Sequence, residues 1–372
     1  MNSAANHRIA GLDLIRGLAI LLVLLRHAWP GAIGNAGIVG VVVFFVLSGY
    51  LITAILQRDI TKFGKVRYGH FYRNRALRLL PALLVVTAVF AIGETIFNIL
   101  GDRDRVLHTV VVALTYTGDI PYLNEISQGL SHLWTLAVEE QFYLLWPILL
   151  TLALRRKMLV RTVVLLASVT VILCIGTLVI SAPNFSDVYR LPTSWALAII
   201  LGSAARLWQS RVHSAAGPRQ RQALLAGCGL LVLLAISFAP DWKNEAFLYL
   251  GAVPVISAAT IALIVFAEKW KDLPTPYLRP LLFLGTISYG AYLWNYLLAQ
   301  WLHVGNGGDW RSFASIGLTL AAATLSWYLI EKPILALKPR LDARAQAREP
   351  GWQSKVDDDR GGSPVTQDPA NS

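Results

Sequence analysis

Residues 9–29 read IAGLDLIRGLAILLVLLRHAW, and this stretch decides the fold class. As a helix it is long enough to cross a bilayer, which takes about 20 apolar residues. Its apolar run nevertheless contains Arg16 and His27, with Asp13 beside them. Arg16 and His27 are almost three helical turns apart, so they share one face and are separated by about 16 Å along the axis. Ionisable residues at membrane depth are expensive unless they are paired or hydrated. We therefore expect this helix to face a polar cleft within the membrane.

The composition of the whole chain agrees with a membrane protein. It is 55% hydrophobic and 15% charged, with a mean hydropathy of +0.53, whereas soluble domains carry about a quarter charged residues. We predict an all-α polytopic membrane protein with about ten transmembrane helices around an intramembrane polar cleft. The predicted spans lie near residues 9–29, 38–56, 79–99, 132–154, 159–181, 192–208, 222–239, 246–267, 281–303 and 312–331. Residues 1–335 form the predicted membrane domain, and 336–372 are predicted to be a disordered tail without an appended soluble domain.

The distribution of lysine and arginine predicts the orientation. With these spans, 26 of the 33 basic residues lie in the terminal segments and alternate loops of one side, and 5 lie on the other. Under the positive-inside rule, the chain is an inner-membrane protein with both termini in the cytoplasm. This fit treats residues 106–120 as a short interfacial or re-entrant segment, because a full span there would invert every later helix.

The cysteines and the net charge argue against two other classes of protein. Cys174 and Cys228 each lie in an apolar run without metal-ligand spacing, so we expect neither a metal site nor redox chemistry. The net charge of +11 is consistent with nucleic-acid binding. In so apolar a chain, basic loops that contact anionic membrane lipids explain it better, and we expect no nucleic-acid partner.

The segment SHLWTLAVEEQFYLLWP at 131–147 places Glu139 and Glu140 about two turns into an apolar helix. His132 and Glu139 are seven residues apart and share a face. By the charge count, this end of the helix lies on the same outer side as His27, so all three side chains are expected to converge on one cleft. There, His27 is a candidate general base supported by a carboxylate.

Other interpretations of the same residues stay open. His27 is also consistent with an interfacial histidine that has no catalytic task. Glu139 is also consistent with charge pairing to Arg16, or with proton coupling in a transporter or flippase that uses Glu139 and His27. Ser48–Gly49 in the second span predicts close approach of a neighbouring helix rather than a nucleophile.

Arg75 and Arg78 lie three residues apart where the basic loop 57–78 enters the third span. Arginine forks match phosphate oxygens in a bidentate manner, so this pair is a candidate site for a phosphorylated cytoplasmic donor. The alternative is that both residues serve membrane topology and contact lipid headgroups.

Five segments occur in order along the chain and carry a family resemblance. They are GLDLIRGLAILLVLLRH at 11–27, VFFVLSGYLI at 43–52, FYRNRALRLLP at 71–81, WTLAVEEQFYLLWP at 134–147 and LGTISYGAYLW at 284–294, followed by Glu331-Lys332-Pro333. Together they resemble the acyltransferase 3 family of integral-membrane O-acyltransferases from residue 9 to about 335. One position departs from the family, which often has histidine where this chain has Asn295, so we assign no acid–base role there.

The resemblance implies ten spans and transfer of an acyl group, usually acetyl, from cytoplasmic acyl-CoA. The acceptor would be a hydroxyl of a sugar, a cell-surface polysaccharide or a secondary metabolite. Arg75 and Arg78 would hold the CoA phosphates, and the thioester would reach toward Arg16. His27, supported by Glu139, would take the proton of the acceptor hydroxyl. Direct transfer fits better than an acyl-enzyme, because no activated serine or cysteine stands out.

The remaining candidate residues belong to the same helix entrance. Glu140 is a second candidate acid beside Glu139, and His132, Trp134 and Tyr143 are candidates for substrate binding. Arg16, Trp134 or Tyr143 is expected to donate a hydrogen bond to the developing oxyanion. A proton-coupled transporter and a membrane scaffold remain the alternative classes. The chain shows no repeated halves of the transporter kind, and a scaffold leaves the buried charges unexplained.

Overall fold

The computed structural model describes residues 9–123, 125–185, 188–272, 276–305 and 307–338, and within these ranges it contains helices and no β-strand. The α-helices are α1 (Ala10–Ala28), α2 (Ala36–Phe63), α3 (Tyr68–Phe97), α4 (Val106–Thr115), α5 (Trp134–Arg155), α6 (Leu159–Ser181), α7 (Ala196–Leu207), α8 (Gln209–Ala216), α9 (Arg219–Ser237), α10 (Val253–Ala267), α11 (Arg279–Thr286), α12 (Ser288–Trp301) and α13 (Trp310–Ser326). A 3-10 turn over Gln128–Leu133 leads into α5. π-helical turns at Leu248–Ala252 and Trp327–Glu331 adjoin α10 and α13.

The predicted all-α membrane fold is confirmed. Seven helices in the described ranges are long and apolar enough to cross a bilayer. Helical residues also fill the other predicted spans, but α1 carries internal charges, α7 has 12 residues, and α11 and α12 are separated at Ile287. Such interruptions are expected where helices line a polar cavity rather than lipid. The count of ten spans therefore stays a prediction.

Helix α4 accounts for the apolar stretch after the third span. It has 10 residues, which corresponds to about 15 Å, half the thickness of the hydrocarbon core. This length agrees with the prediction that residues 106–120 do not form a full span. Of the predicted tail, residues 336–338 continue the helix that follows the last π-helical turn, and the rest lies outside the described residues.

Glycines bring α2 and α7 into backbone contact. A Cβ atom on Gly49 would lie 2.0 Å from the carbonyl oxygen of Ile199, and one on Gly202 would lie 2.0 Å from that of Val46. Ser203 Oγ donates a hydrogen bond to the Gly49 carbonyl at 3.2 Å. The predicted close helix approach at Ser48–Gly49 is therefore confirmed, and it fixes the face of α2 that carries Ser48.

The charged helix α1 is held in the same way against α11. A Cβ on Gly17 would lie 2.1 Å from the Leu281 carbonyl oxygen, and one on Gly285 would lie 1.9 Å from that of Asp13. Backbones this close leave no room for side chains between them. The face of α1 that carries Arg16 is consequently fixed toward the interior of the bundle.

Candidate active site

Two of the cavities inside the described part of the helical bundle carry the candidate site residues. The first, called here the arginine chamber, has a volume of about 970 Å³ including its open mouth. Its polar lining is Arg16, Ser48, Arg75, Arg78, Tyr116, Thr135, Glu139, Glu140, Tyr143, Ser288, Tyr289 and Tyr292. The second, the histidine chamber, has a volume of about 890 Å³, also including its open mouth. Its polar and aromatic lining is Arg26, His27, His132, Trp134, Thr135, Tyr189, Lys243, Tyr292, Tyr296 and Gln300.

The chambers are stacked along α2 and meet at a pair of hydroxyl groups. The arginine chamber contacts α2 between residues 41 and 55, and the histidine chamber contacts it between 37 and 41. Thr135 and Tyr292 line both cavities, and their side-chain oxygens are 2.6 Å apart. The Tyr292 hydroxyl also donates to the carbonyl of His132 at 3.0 Å. A small polar partition therefore separates the two cavities.

His27 is oriented by a residue that the sequence interpretation set aside. Its Nδ1 lies 2.5 Å from Oδ1 of the fully buried Asn295. The Asn295 amide nitrogen points to Thr319 Oγ1 at 3.4 Å, and that hydroxyl donates in turn to the Ser315 carbonyl. Because the amide nitrogen has an acceptor there, Asn295 Oδ1 is the atom that accepts from His27 Nδ1–H. A neutral His27 then carries its free lone pair on Nε2.

His132 lines the same chamber as His27, which agrees with the convergence expected from the order and orientation of the spans. The two imidazoles flank Tyr296, whose ring centre lies 4.8 Å from that of His27 and 5.2 Å from that of His132. His132 is buried, and neither of its ring nitrogens has a hydrogen-bond partner among the described residues. Buried polar groups are rarely left unpaired, so His132 is available to a bound ligand.

Glu139 lies in the other chamber, which corrects the expected convergence of three side chains. Its Oε1 accepts a hydrogen bond from Ser48 Oγ at 2.6 Å. It lines the arginine chamber and is absent from the lining of the histidine chamber. The position at His27 expected for Glu139 is occupied by Asn295. The helical spacing of His132 and Glu139 set a common face, but their separation along the axis places them on opposite sides of the partition.

Glu140 pairs with one of the two arginines proposed for the donor. Arg75 donates from Nε to both Glu140 oxygens at 2.9 Å and from Nη2 to Oε1 at 2.5 Å. The guanidinium also lies 3.3 Å from the centre of the Tyr143 ring. Arg75 is therefore largely neutralised by its carboxylate partner.

Arg78 and Arg16 present the other cationic groups of the arginine chamber. Arg78 is exposed to the cavity and makes no hydrogen bond or ion pair with any residue in the described part of the chain. Arg16 Nη1 lies 3.8 Å from Asp13 Oδ1, one turn earlier on α1. The chamber thus offers an available guanidinium beside a paired one.

The predicted substrate-binding residues are divided between the two cavities. Tyr143 lines the arginine chamber, whereas His132 and Trp134 line the histidine chamber. Sequence reasoning missed Thr135, Tyr292 and Asn295. The departure from the family pattern at Asn295 was the available signal for the last of these. Within the described ranges, no group of three His, Cys, Asp or Glu residues is arranged to hold a metal ion.

Comparison with known proteins adds independent information. A sequence model of the acyltransferase 3 family, described as an acyltransferase domain, matches residues 9–331. The chain is 30% identical over 354 residues to peptidoglycan O-acetyltransferase OatA of Listeria monocytogenes, a match that covers 88% of this chain and 56% of that protein. It is 31% identical over 368 residues to the putative peptidoglycan O-acetyltransferase YrhL of Bacillus subtilis, with 88% and 55% covered.

A third relative is similar to the same degree. The chain is 29% identical over 346 residues to O-acetyltransferase OatA of Staphylococcus aureus, with 88% of this chain and 57% of the relative covered. The chain thus spans little more than half the length of these relatives. No solved structure matches it significantly. The family match over residues 9–331 covers most of the chain and includes every residue that lines the two chambers. This integral membrane protein therefore belongs to the acyltransferase 3 family.

Proposed function

We propose that the protein transfers an acyl group, acetyl in the usual case, from acyl-CoA to a hydroxyl of a cell-surface glycan, a sugar or a secondary metabolite. The observation that carries this proposal is the pair of stacked chambers. One contains available arginine, the other contains an oriented histidine, and a pair of hydroxyls separates them. The O-acetyltransferase relatives support the type of reaction.

The arginine chamber suits the phosphorylated acyl donor. Arg78 would bind CoA phosphate oxygens with its available guanidinium, and Arg75 would contribute the donor groups that Glu140 leaves free. The concentration of basic residues on one side of the membrane supports a cytoplasmic mouth for this chamber, with both termini in the cytoplasm. The pantetheine arm would then extend past Arg16 toward the Thr135–Tyr292 partition.

The histidine chamber suits the acceptor. The acceptor oxygen attacks the thioester carbonyl carbon while His27 Nε2 removes the hydroxyl proton. Collapse of the tetrahedral intermediate breaks the C–S bond, and the departing thiolate receives the proton from the imidazolium. Asn295 keeps Nε2 unprotonated beforehand and stabilises the imidazolium through the same hydrogen bond. The products are the O-acyl ester and free CoA.

The partition is the proposed place of the reacting carbonyl. Thr135 and Tyr292 are the polar side chains shared by both cavities. Rotation of either hydroxyl would direct its proton to the oxyanion, and such a hydrogen bond contributes about 3 kcal/mol to transition-state stabilisation. Arg16, Trp134 and Tyr143 remain candidates for a second donor.

The test is turnover of acetyl-CoA by purified protein in nanodiscs. Wild-type protein should release CoA and acylate an added sugar acceptor, and His27→Ala should lower turnover about 10²–10⁴-fold. Mass spectrometry of envelope glycans and secreted metabolites, with and without the gene, identifies the acceptor. Proton-coupled flux in proteoliposomes that is abolished by Glu139→Gln, without any acyl transfer, would assign the protein to the transporters instead.

A further inference from the structure

We propose that the acceptor carries a negative charge, a carboxylate or a phosphate, which binds Lys243 and Arg26 at the wall of the histidine chamber. This inference rests on the proposed function, because it names the chemical class of the group to be acylated. Lys243 lies outside the sequence motifs, and the catalytic scheme requires neither Lys243 nor Arg26.

The histidine chamber differs from the arginine chamber in its charge. Arg26 and Lys243 both line it, and none of its lining residues within the described part of the chain is an aspartate or a glutamate. In the arginine chamber, by contrast, Glu139 and Glu140 accompany the cations. A cavity that presents two cations and no anion is complementary to an anionic ligand.

A single carboxylate, that of Asp241, pairs with both cations of the histidine chamber. Asp241 does not line the chamber, and its Oδ2 is shared between Arg26 Nη2 at 3.0 Å and Lys243 Nζ at 3.5 Å. Its Oδ1 accepts from the Lys243 backbone N–H at 3.0 Å. Two cations therefore share one carboxylate, and one positive charge is left over. Partial burial lowers the pKa of Lys243, so an anion beside it would stabilise the charged ammonium.

Arg26 and Lys243 have different secondary roles. Arg26 Nε donates to the Gly34 carbonyl at 2.8 Å, so this side chain also ties α1 to the loop before α2. The Lys243 ammonium lies 5.1 Å from the centre of the Tyr189 ring, and 38% of the side chain is exposed. Lys243 is consequently the group free to turn toward a ligand, and it is the better position for a test.

The remaining lining fits a carbohydrate ring. Trp134, Tyr189 and Tyr296 provide aromatic surfaces, and Gln300 provides an amide. Both nitrogens of His132 are unpartnered in the same cavity. Aromatic faces with a few convergent polar groups are typical of small-ligand sites. Together with the excess positive charge, they indicate a sugar that bears an acidic group.

The experiment measures binding of three sugars to the full-length protein in nanodiscs of zwitterionic lipid. Methyl β-D-glucoside is the neutral ligand, while methyl β-D-glucuronide and methyl β-D-glucoside 6-phosphate carry the two kinds of anion. Wild type should bind both anions about tenfold more tightly than the neutral sugar, and this preference should fall as salt is raised. Lys243→Gln should remove most of the preference, whereas Lys243→Arg should keep it. Arg311→Gln, which removes a positive charge at the same end of the bundle outside the chamber, is the matched control.

Several results would overturn the inference. One is equal binding of all three sugars by wild type. A second is a preference that survives Lys243→Gln or is lost equally in Arg311→Gln. The third is no detectable binding of either anion at about 10 mM. A stronger effect on the phosphate than on the carboxylate identifies the kind of acceptor anion. Charge-dependent sugar binding without any acyl transfer would refute the proposed function and leave this site standing.

Discussion

Replacement of Asn295 tests whether it orients His27. Asn295→Leu removes the acceptor of His27 Nδ1–H while keeping a side chain of similar size in a fully buried position. The imidazole then loses its fixed tautomer and leaves a buried N–H unpaired. Asn295→Asp keeps an oxygen in the same place and is the matched control. We expect Asn295→Leu to lower kcat and Asn295→Asp to retain most of the activity.

The size of the effect follows from the environment of this hydrogen bond. An unsatisfied buried donor costs about 1–3 kcal/mol, and each 1.4 kcal/mol is tenfold in rate, so kcat should fall about 5- to 150-fold. The other contact of Asn295 contributes little, since its 3.4 Å hydrogen bond to Thr319 is long and Thr319 keeps its bond to Ser315. The KM for acyl-CoA should change less than twofold, about 0.4 kcal/mol, because the proposed donor site is in the other chamber.

The assay is CoA release from acetyl-CoA with a saturating sugar acceptor, together with thermal unfolding to confirm that the variants fold. A double variant supplies the decisive comparison. If Asn295 acts through His27, then Asn295→Leu should have no further effect in a His27→Ala background, because residues that act as a unit are not additive. Turnover of Asn295→Leu within about threefold of wild type, or a full additional loss in the double variant, would refute the reasoning.

Three further predictions concern the arginine chamber and the partition. Arg78→Gln should raise the KM for acetyl-CoA about tenfold and leave that for acetyl-pantetheine nearly unchanged; an equal loss with both donors would indicate misfolding. Arg75→Gln should lower the free energy of unfolding by about 1–3 kcal/mol in a thermal melt, because it leaves Glu140 as an unpaired, half-buried charge, and adding Glu140→Gln should restore part of that stability. Tyr292→Phe should lower kcat about tenfold at unchanged donor KM if its hydroxyl contacts the oxyanion, and a normal kcat would exclude that role.

The fold was predictable from the sequence wherever a helix faces lipid. Predicted span 159–181 coincides with α6, because a helix surrounded by lipid is apolar on all sides and its ends are marked by polar residues. The interruption at Ile287 was not predicted. The residues around it, Thr286 and Ser288, include no proline to mark a break, and the close packing of Gly285 against the Asp13 carbonyl is a contact remote in sequence.

For the candidate site, helical periodicity predicted which residues of one helix share a face, but not which residues of different helices meet. The spacing of Arg16 and His27 correctly placed both on an interior face, since helical geometry fixes angles within one helix. It does not fix which residue of another helix arrives opposite. The partner of His27 lies 268 positions further along the chain, and Glu140 meets Arg75 across 65 positions. Such pairings depend on how the helices are arranged around one another, and this arrangement cannot be derived from the spacing of residues in a single sequence.

The proposed placement of the base and the acyl donor in different chambers bears on how such an enzyme would avoid hydrolysing its own substrate. Acyl-CoA in the arginine chamber would meet Glu139, but that carboxylate is already engaged by Ser48. The oriented imidazole lies in the other chamber, beyond the Thr135–Tyr292 pair. A water molecule beside the thioester would then lack the oriented imidazole, whereas an acceptor hydroxyl held in the histidine chamber would meet both His27 and the carbonyl. In this arrangement the thioester meets the base only through a bound acceptor, whose hydroxyl contacts both of them. The preference for acyl transfer over hydrolysis then follows from the position of the base, in addition to any exclusion of water from the site.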